Sequence, residues 1–289
     1  MGKAEAISHG AATIVNAIAT GKGAAVGVDL WTKARVQLTG KPGTIEGNIV
    51  SDPAEKPVLI EKTVSKVLEH FNLKGKFGAE VDTWSNIPIA RGLKSSSVAA
   101  NAVTLATVAA LNKTLDDLTI LNLGVDAAIE AKVTITGAFD DACASYFGGV
   151  VVTDNLKRKI VKRFKVDEAL TVLFYVPAKK VYTSGSNVQR MRKMVSLVKI
   201  AYKQAVEGNF WSALTLNGLI YSSALGHNPS IAIDALEAGA LAAGLSGTGP
   251  AVTAIVSEEK IDRVKDAWQV YEGDILQASL NHEKAKVVG

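Results

Sequence analysis

The stretch from residue 88 to residue 99 reads Pro-Ile-Ala-Arg-Gly-Leu-Lys-Ser-Ser-Ser-Val-Ala, with a glycine and three consecutive hydroxyls before an apolar run. Residues 98–111 contain no Gly or Pro and are rich in Ala, Val and Leu, so residues 95–97 are predicted to form the first turn of a helix. Such a turn carries unpaired N–H groups and the positive end of the helix dipole, which favour an anion. The pattern therefore indicates a phosphate cradle, to which Lys94 adds a mobile cation.

Two other interpretations of this stretch compete with a phosphate cradle. Ser is a favoured N-cap, so a glycine turn followed by an ordinary Ser cap would produce a similar string. The common P-loop is excluded because no Gly-x-x-x-x-Gly-Lys-Ser/Thr string occurs, and residues 21–23 lack both the spacing and the hydroxyl after the lysine. A phosphate site here therefore requires a different family of nucleotide-binding loops.

Acidic and small residues concentrate between Glu130 and residue 149. Asp140 and Asp141 open a short helix-like stretch that two glycines close. Taken alone, Asp140 fits a helix N-cap, and Asp141 fits a first-turn acid that complements the helix dipole. Glu130 ends a helical stretch that begins at Leu118, where a solvated face is the default. The residues by themselves leave a purely structural role open for all three acids.

Two further segments are rich in glycine and small residues. Residues 239–256 are predicted to form a small-residue loop that enters a buried strand, and such a loop permits close approach of the backbone to a ligand. Residues 10–30 form a Gly- and Ala-rich turn region near the N-terminus. Each is ambiguous by itself, because glycine clusters punctuate many chains.

Together these segments resemble, in the expected order, the motifs of the superfamily of galactokinase, homoserine kinase, mevalonate kinase and phosphomevalonate kinase, called GHMP kinases. The second GHMP motif reads Pro-x-x-x-Gly-Leu-Gly-Ser-Ser-Ala, and the residues that match it in register are Pro88, Gly92, Leu93, Ser95 and Ser96. Lys94 replaces the middle glycine and Ser97 replaces the alanine, a form that is similar to the archaeal shikimate kinase branch. Residues 246–250 resemble the third motif, and residues 10–30 resemble the divergent first motif of the same branch.

The resemblance implies an α+β, two-lobed GHMP kinase fold with the active site in the interlobe cleft. An N-terminal nucleotide-binding domain is expected over residues 1–155 and a C-terminal domain over residues 156–289. The implied reaction is transfer of the γ-phosphoryl group of ATP, with Mg²⁺, to the 3-hydroxyl of the small-molecule substrate shikimate. The alternatives are the same chemistry on homoserine or mevalonate, and a metabolite sensor that has lost catalysis.

The resemblance also implies roles for individual residues. The expected nucleotide-binding residues are Pro88, Ala90, Arg91, Gly92, Leu93, Lys94, Ser95, Ser96 and Ser97. Ser96 and Glu130 are expected to ligate Mg²⁺. Asp140 is expected to orient or deprotonate the acceptor. Asp141 is the second catalytic candidate; it stands where relatives often have Asn, which leaves open which acid of the pair faces the substrate.

Acceptor contacts are expected from a separate set of residues. They are Thr183, Arg190, Arg192, Ser246, Gly247, Thr248 and Gly249. A carboxylated acceptor needs a cation, and an Arg side chain holds a carboxylate through two parallel N–H bonds. Exposed helix charges remain the alternative for Arg190 and Arg192.

Composition agrees with a compact enzyme, since the 289 residues are 48% hydrophobic and 21% charged. The net charge of +4 is spread along the chain, so nucleic acid is not an expected partner. No apolar stretch is long enough to span a bilayer, so a membrane is not an expected partner either, and the absence of an evident signal peptide predicts a cytoplasmic location. Cys143 is the only cysteine, so no intrachain disulfide forms. A homo-oligomer remains possible, because the sequence does not reveal the number of subunits.

Hydrophobic periodicity predicts alternating strands and helices in both halves of the chain. Strands are predicted at residues 24–38, 78–84, 150–153, 170–176 and 251–257. Helices are predicted at residues 58–71, 98–111, 118–132, 186–207, 210–225, 231–240 and 259–273.

Overall fold

The computed structural model describes residues 1–166, 169–178 and 187–288. The strands are β1 (Lys3–Val15), β2 (Lys22–Thr39), β3 (Ile45–Ile49), β4 (Gly78–Ser85), β5 (Val150–Asp154), β6 (Lys159–Phe164), β7 (Leu170–Pro177), β8 (Ala242–Leu245), β9 (Val252–Ser257), β10 (Gly273–Ser279) and β11 (Lys286–Val287). The helices are α1 (Val58–His70), α2 (Ser95–Ala110), α3 (Asp117–Glu130), α4 (Phe139–Phe147), α5 (Val188–Arg192), α6 (Val195–Glu207), α7 (Phe210–Leu225), α8 (Ser230–Glu237) and α9 (Ile261–Trp268), with a short 3₁₀ turn over Glu258–Lys260. The α+β class predicted from the sequence is confirmed.

A large sheet occupies the N-terminal half of the chain. Its main path runs β11-β1-β2-β4-β3, while β5 pairs with β2 and β6 pairs with β5. All pairs are antiparallel except β3 with β4. Residues 23–28 of β2 are buried on both faces, whereas buried and partly exposed residues alternate from Leu30 onward. Small side chains are what allow the first half of this strand to be covered on both sides.

Helix α2 lies against β1 and β2 and also contacts α1, α3 and α4. It is rich in Ala and Val, and most of its residues are buried, which suits a helix surrounded by other elements. The predicted first turn at residues 95–97 is confirmed, because α2 begins at Ser95. The helix is therefore enclosed by the large sheet and the neighbouring helices.

A second, antiparallel sheet occupies the C-terminal half, in the order β10-β7-β9-β8. Helices α7 and α8 pack on β8, and α9 contacts β7. One continuous buried cluster runs from Val26 and Val28 of the large sheet to Phe174 of the small sheet and Tyr221 of α7. The two lobes therefore share a hydrophobic core.

Several predicted elements differ from those observed. The helix predicted over residues 186–207 is two helices, α5 and α6, separated by a turn at residues 193–194, and Ser186 lies outside the described residues. In the Gly- and Ala-rich turn region at residues 10–30, the turn is confined to the vicinity of residues 17–20, and residues 10–15 belong to β1, which was not predicted. The strand predicted at residues 24–38 lies within β2. Part of the loop predicted from residue 239 is strand β8. A Gly- and Ala-rich segment indicates a turn when it is considered alone, but both residues are tolerated in strands that pack closely on other elements.

The chain crosses between the lobes more than once. Strand β6 follows residue 155 and still pairs in the large sheet, and β11 returns to that sheet from the C-terminal half. The division of the chain at residue 155 stays a prediction. In the described part of the chain, no helix combines the length and the apolar character needed to cross a membrane.

Candidate active site

The phosphate loop, residues 90–97, makes a tight turn into α2. Gly92 has a φ of 85°, and Lys94, the N-cap residue, has a φ of 64°; both lie in the left-handed region. No side chain caps this helix, so the Ser N-cap interpretation is wrong. Among the described residues, the backbone N–H groups of Ser95 and Ser96 have no hydrogen-bond partner. The helix therefore begins with free donors, as an anion site requires.

The third glycine loop, residues 246–250, packs directly on the phosphate loop. The Ser246 hydroxyl donates to the carbonyl of Gly92 at 2.8 Å, and the amide of Ala251 donates to the carbonyl of Arg91 at 3.1 Å. A Cβ atom on Gly92 would lie 2.7 Å from the carbonyl oxygen of Ser246. Only glycine fits at position 92, because its backbone is both left-handed and in contact with the other loop.

Asp140 and Asp141 lie side by side in the first turn of α4. The N-cap of this helix is Ala138, so neither aspartate serves as the N-cap that Asp140 alone would suggest. As whole residues they are 3% and 7% exposed, respectively, which is unusual for aspartate. Two buried acids at one helix start need partners from other elements, and they have different ones.

Asp140 contacts strand β2 and the residue that follows strand β5. The Asn155 side-chain amide donates to Asp140 Oδ1 at 2.7 Å, and Asn155 is itself fixed by the Thr153 hydroxyl at 2.6 Å. The other oxygen of Asp140 lies against Gly23, where a Cβ atom would be 2.2 Å away. Burial, together with the neighbouring carboxylate of Asp141, raises the pKa of Asp140 to about 7.

Asp141 is linked to the phosphate loop instead. Its Oδ2 atom lies 3.4 Å from Lys94 Nζ, and this pair is almost fully buried. Its Oδ1 atom is buried and has no hydrogen-bond partner among the described residues. Burial raises the pKa of Asp141, and the Lys94 ammonium acts in the opposite direction. Lys94 therefore joins the start of α2 to the start of α4.

The cleft in front of these groups is lined by residues of both lobes. The predicted site residues that line it are Ala90, Gly92, Leu93, Lys94, Ser95, Ser96, Ser97, Asp140, Asp141, Gly247 and Thr248. The structure thus brings together most of the phosphate loop, both aspartates and two residues of the third glycine loop. Their combination offers free amides and a cation for a phosphate, and carboxylates for an acceptor hydroxyl.

Other predicted residues do not line the cleft. They are Pro88, Arg91, Glu130, Arg190, Arg192, Ser246 and Gly249. Arg91 donates to the backbone carbonyl of Pro177 and so ties the phosphate loop to β7. Ser246 is fully buried and binds the backbone of Gly92. Thr183 lies outside the described residues.

Glu130 forms ion pairs at the surface. Its two oxygens lie 2.7 Å from Lys62 and 2.7 Å from Lys66, both on α1. Hydrogen bonds from Lys62 and Lys66 lower the pKa of Glu130 to about 2. These contacts join α1 to α3 and do not support the prediction that Glu130 binds a metal ion.

Arg190 and Arg192 are exposed on the short helix α5. Between them, the side chain of Met191 points into the core and is fully buried. This arrangement matches the alternative of exposed helix charges. Acceptor binding by the two arginines stays a prediction that the cleft does not support.

Sequence reasoning missed several residues that line the cleft. Lys56 and Lys132 are exposed cations at its rim. Thr13 and Asn16 lie at its base near the end of β1; they are not among the predicted site residues, although they belong to the segment 10–30 that resembles the first motif. Apolar side chains form another part of the wall, and they are Ile49, Pro57, Leu59, Ile60, Ile89 and Val133. No local signal distinguishes the two lysines or the apolar residues, because single lysines and single exposed apolar side chains are common on protein surfaces.

Two family models match this chain. "GHMP kinases N terminal domain" matches residues 59–149, and "GHMP kinases C terminal" matches residues 213–272. The shikimate kinase of Methanosarcina mazei is 45% identical over 282 residues, which cover 97% of this chain and 95% of that protein. The shikimate kinase of Pyrococcus abyssi is 44% identical over 271 residues, which cover 93% of this chain and 96% of that protein.

Solved structures with little sequence identity share the fold. A homoserine kinase from Cytophaga hutchinsonii superposes with a TM-score of 0.76 at 18% identity, covering 100% of this chain and 98% of that one. The mevalonate kinase of Methanococcus jannaschii gives a TM-score of 0.77 at 17% identity, covering 96% and 98%. At such low identity these likenesses establish the arrangement of the backbone.

Proposed function

Because the chain belongs to the GHMP kinase family, we propose that it transfers the γ-phosphoryl group of ATP to the 3-hydroxyl of shikimate, giving shikimate 3-phosphate and ADP. The observation that carries the proposal is the contact between Lys94 and Asp141, which joins an anion-binding helix start to a buried carboxylate in one cleft. The choice of shikimate rests on the names of relatives that are 41–47% identical over nearly the whole chain.

The phosphate loop would hold the triphosphate mainly through its backbone. The free amides of Ser95 and Ser96 point from the start of α2, where the helix dipole also favours negative charge. Lys94 would neutralise charge that develops during transfer. The apolar wall that includes Ile49 and Ile60 suits the flat face of the nucleotide base.

A magnesium ion fits the chemistry of this cleft when it arrives with the nucleotide. Mg²⁺ prefers oxygen ligands and is commonly held by phosphates and one or two protein groups, and it neutralises phosphate charge. The Ser96 hydroxyl is the cleft residue best suited to ligate it, with the aspartate pair nearby. The described residues contain no cluster of three or more acidic, His or Cys side chains that could hold a metal alone.

The acceptor hydroxyl would meet the aspartate pair. Its oxygen attacks the γ-phosphorus, the bond between that phosphorus and the β–γ bridging oxygen breaks, and ADP leaves. Asp141 would orient the hydroxyl and take its proton, and its contact with Lys94 of the phosphate loop supports this role. Asp140 accepts a hydrogen bond from Asn155 and packs against Gly23, so it would keep α4 and the adjacent Asp141 in place. The assignment of the proton to Asp140, predicted from the sequence, is the competing hypothesis.

An assay of ADP release tests the acceptor. Shikimate, homoserine and mevalonate are supplied separately with Mg·ATP, and we expect acceptor-dependent ADP release with shikimate alone. The product is checked by mass for one added phosphoryl group. Turnover of homoserine or mevalonate in place of shikimate would overturn the acceptor, and turnover of none would overturn the kinase.

Two isosteric variants separate the roles of the aspartates. We expect Asp141→Asn to lower kcat by roughly 10²–10⁴-fold, the usual contribution of a positioned acid or base. Asp140→Asn keeps the hydrogen-bonding shape beside Asn155 and is expected to lose much less. The reverse order of losses would assign the acceptor proton to Asp140.

A further inference from the structure

His227 lies beside the third glycine loop, immediately after the C-cap of α7 at Gly226. Its Nε2 atom is 3.0 Å from the backbone carbonyl oxygen of Thr248. Because a carbonyl oxygen only accepts, Nε2 must carry the hydrogen. The ring also lies against Gly249, where a Cβ atom would be 2.7 Å from Nε2. The loop is therefore shaped around the imidazole.

The same loop holds the phosphate loop on its other side. Ser246 donates to the carbonyl of Gly92, while Gly247 and Thr248 line the cleft. A Cβ atom on Gly247 would lie 2.3 Å from Lys94 Nζ, so this residue borders the cation as well. A shift of the carbonyl of Thr248 would consequently move the residues that contact Gly92 and Lys94.

We propose that His227 is a positioning residue for nucleotide binding, which fixes the third glycine loop and through it the phosphate loop. The inference rests on the proposed function only in that a nucleotide occupies the phosphate loop; it holds for any acceptor. His227 itself does not line the cleft. Its effect passes through the carbonyl of Thr248 and the hydroxyl of Ser246.

The hydrogen bond can be separated from the bulk of the ring. The side-chain amide nitrogen of glutamine can occupy the place of His Nε2 and donate to the same carbonyl, whereas alanine removes this donor. The neutral Nε2–H tautomer and the imidazolium both donate at this position. The bond therefore does not require one charge state of the ring.

The test is calorimetric titration of Mg·ATP into the full-length chain with no acceptor present. We expect His227→Ala to raise the Kd on the order of tenfold, the size of effect that the loss of one hydrogen bond implies, and His227→Gln to restore most of the affinity. His70→Ala is the matched control, because His70 is an exposed histidine at the end of α1, and it should bind as the wild type does. In turnover, His227→Ala should raise the KM for ATP more than it lowers kcat.

Circular dichroism and thermal midpoints verify that each variant is folded. A folded His227→Ala variant that binds Mg·ATP like the wild type would overturn the inference alone. So would a His227→Gln variant as impaired as His227→Ala, because the hydrogen bond would then not be the cause. A wild-type chain that binds no Mg·ATP would overturn both this inference and the proposed function.

Discussion

Lys94 adopts a backbone conformation that ordinarily favours glycine, with a φ of 64°. A left-handed conformation costs a side-chain-bearing residue roughly 1–2 kcal/mol. The same residue places its ammonium 3.4 Å from Asp141, where it offsets the burial of that carboxylate. The lysine is thus unfavourable for the backbone of the turn and favourable for the site, and such local strain is expected at functional sites.

Asp140 gives the chain a pH-dependent stability. Its pKa is raised to about 7, whereas an unfolded aspartate titrates near about 3.9. Between these values the folded chain binds a proton that the unfolded chain has released, so the free energy of unfolding falls as pH rises through the window. The slope approaches about 1.4 kcal/mol per pH unit.

The variant Asp140→Asn removes this proton. Relative to the wild type, it should become more stable by a few kcal/mol between about pH 5 and about pH 8. Urea denaturation of both proteins at the two pH values measures the difference. A constant difference would mean that Asp140 does not titrate in this window.

At the scale of elements, helix α7 approaches strand β8 unusually closely. Gly218 of α7 faces Gly244 of β8, and a Cβ atom on Gly218 would lie 2.3 Å from the Gly244 Cα. The obstacle is backbone, which cannot rotate aside. The two glycines therefore set the distance between the helix and the small sheet.

The variant Gly218→Ala is expected to destabilise the chain by about 2–3 kcal/mol, because overpacking outweighs the roughly 1 kcal/mol that alanine gains in a helix. Ser223→Ala, at an exposed position of the same helix, is the control and should change the free energy of unfolding by no more than about 0.5 kcal/mol. Equal free energies of unfolding for the two variants would show that the helix can shift to accommodate the added methyl group. Chemical denaturation measures both.

At the scale of the whole molecule, buried hydrogen bonds join the lobes at the base of the cleft. The Tyr221 hydroxyl of α7 donates to the carbonyl of Asn16 at 3.2 Å and accepts from the amide of Ala19 at 3.2 Å. The side-chain oxygen of Asn217 accepts from the amide of Asn16 at 3.0 Å. The turn after β1 is thereby fixed to the C-terminal lobe.

The variant Tyr221→Phe keeps the ring and leaves the buried carbonyl of Asn16 and the partly buried amide of Ala19 without this partner. We expect a loss of about 1–3 kcal/mol in the free energy of unfolding. Tyr271→Phe removes a hydroxyl that binds Asp234 outside the cleft, and it should cost less. An equal or larger loss for Tyr271→Phe would contradict the role given to Tyr221.

Local patterns predicted the start of α2 at Ser95 and the position of Asp140 and Asp141 in the first turn of a short helix. Helix starts can be predicted in this way because they depend on residues close together in the chain. The same holds for α7, whose predicted bounds match those observed. The strand β1 was missed because its Gly- and Ala-rich sequence lacks a clear alternation, and it is fixed by its pairing with β2.

The sequence by itself determined the family, the α+β class and the segments that meet at the cleft. Only the tertiary structure decided which way their side chains point: Ser246 toward the backbone of Gly92, Glu130 toward Lys62 and Lys66, and Asp141 toward Lys94. Each motif consists of residues close together in the chain, so the motifs and their order can be recognised from the sequence alone. The partner of a buried polar group is set by elements far away in sequence, because packing brings them within hydrogen-bond distance.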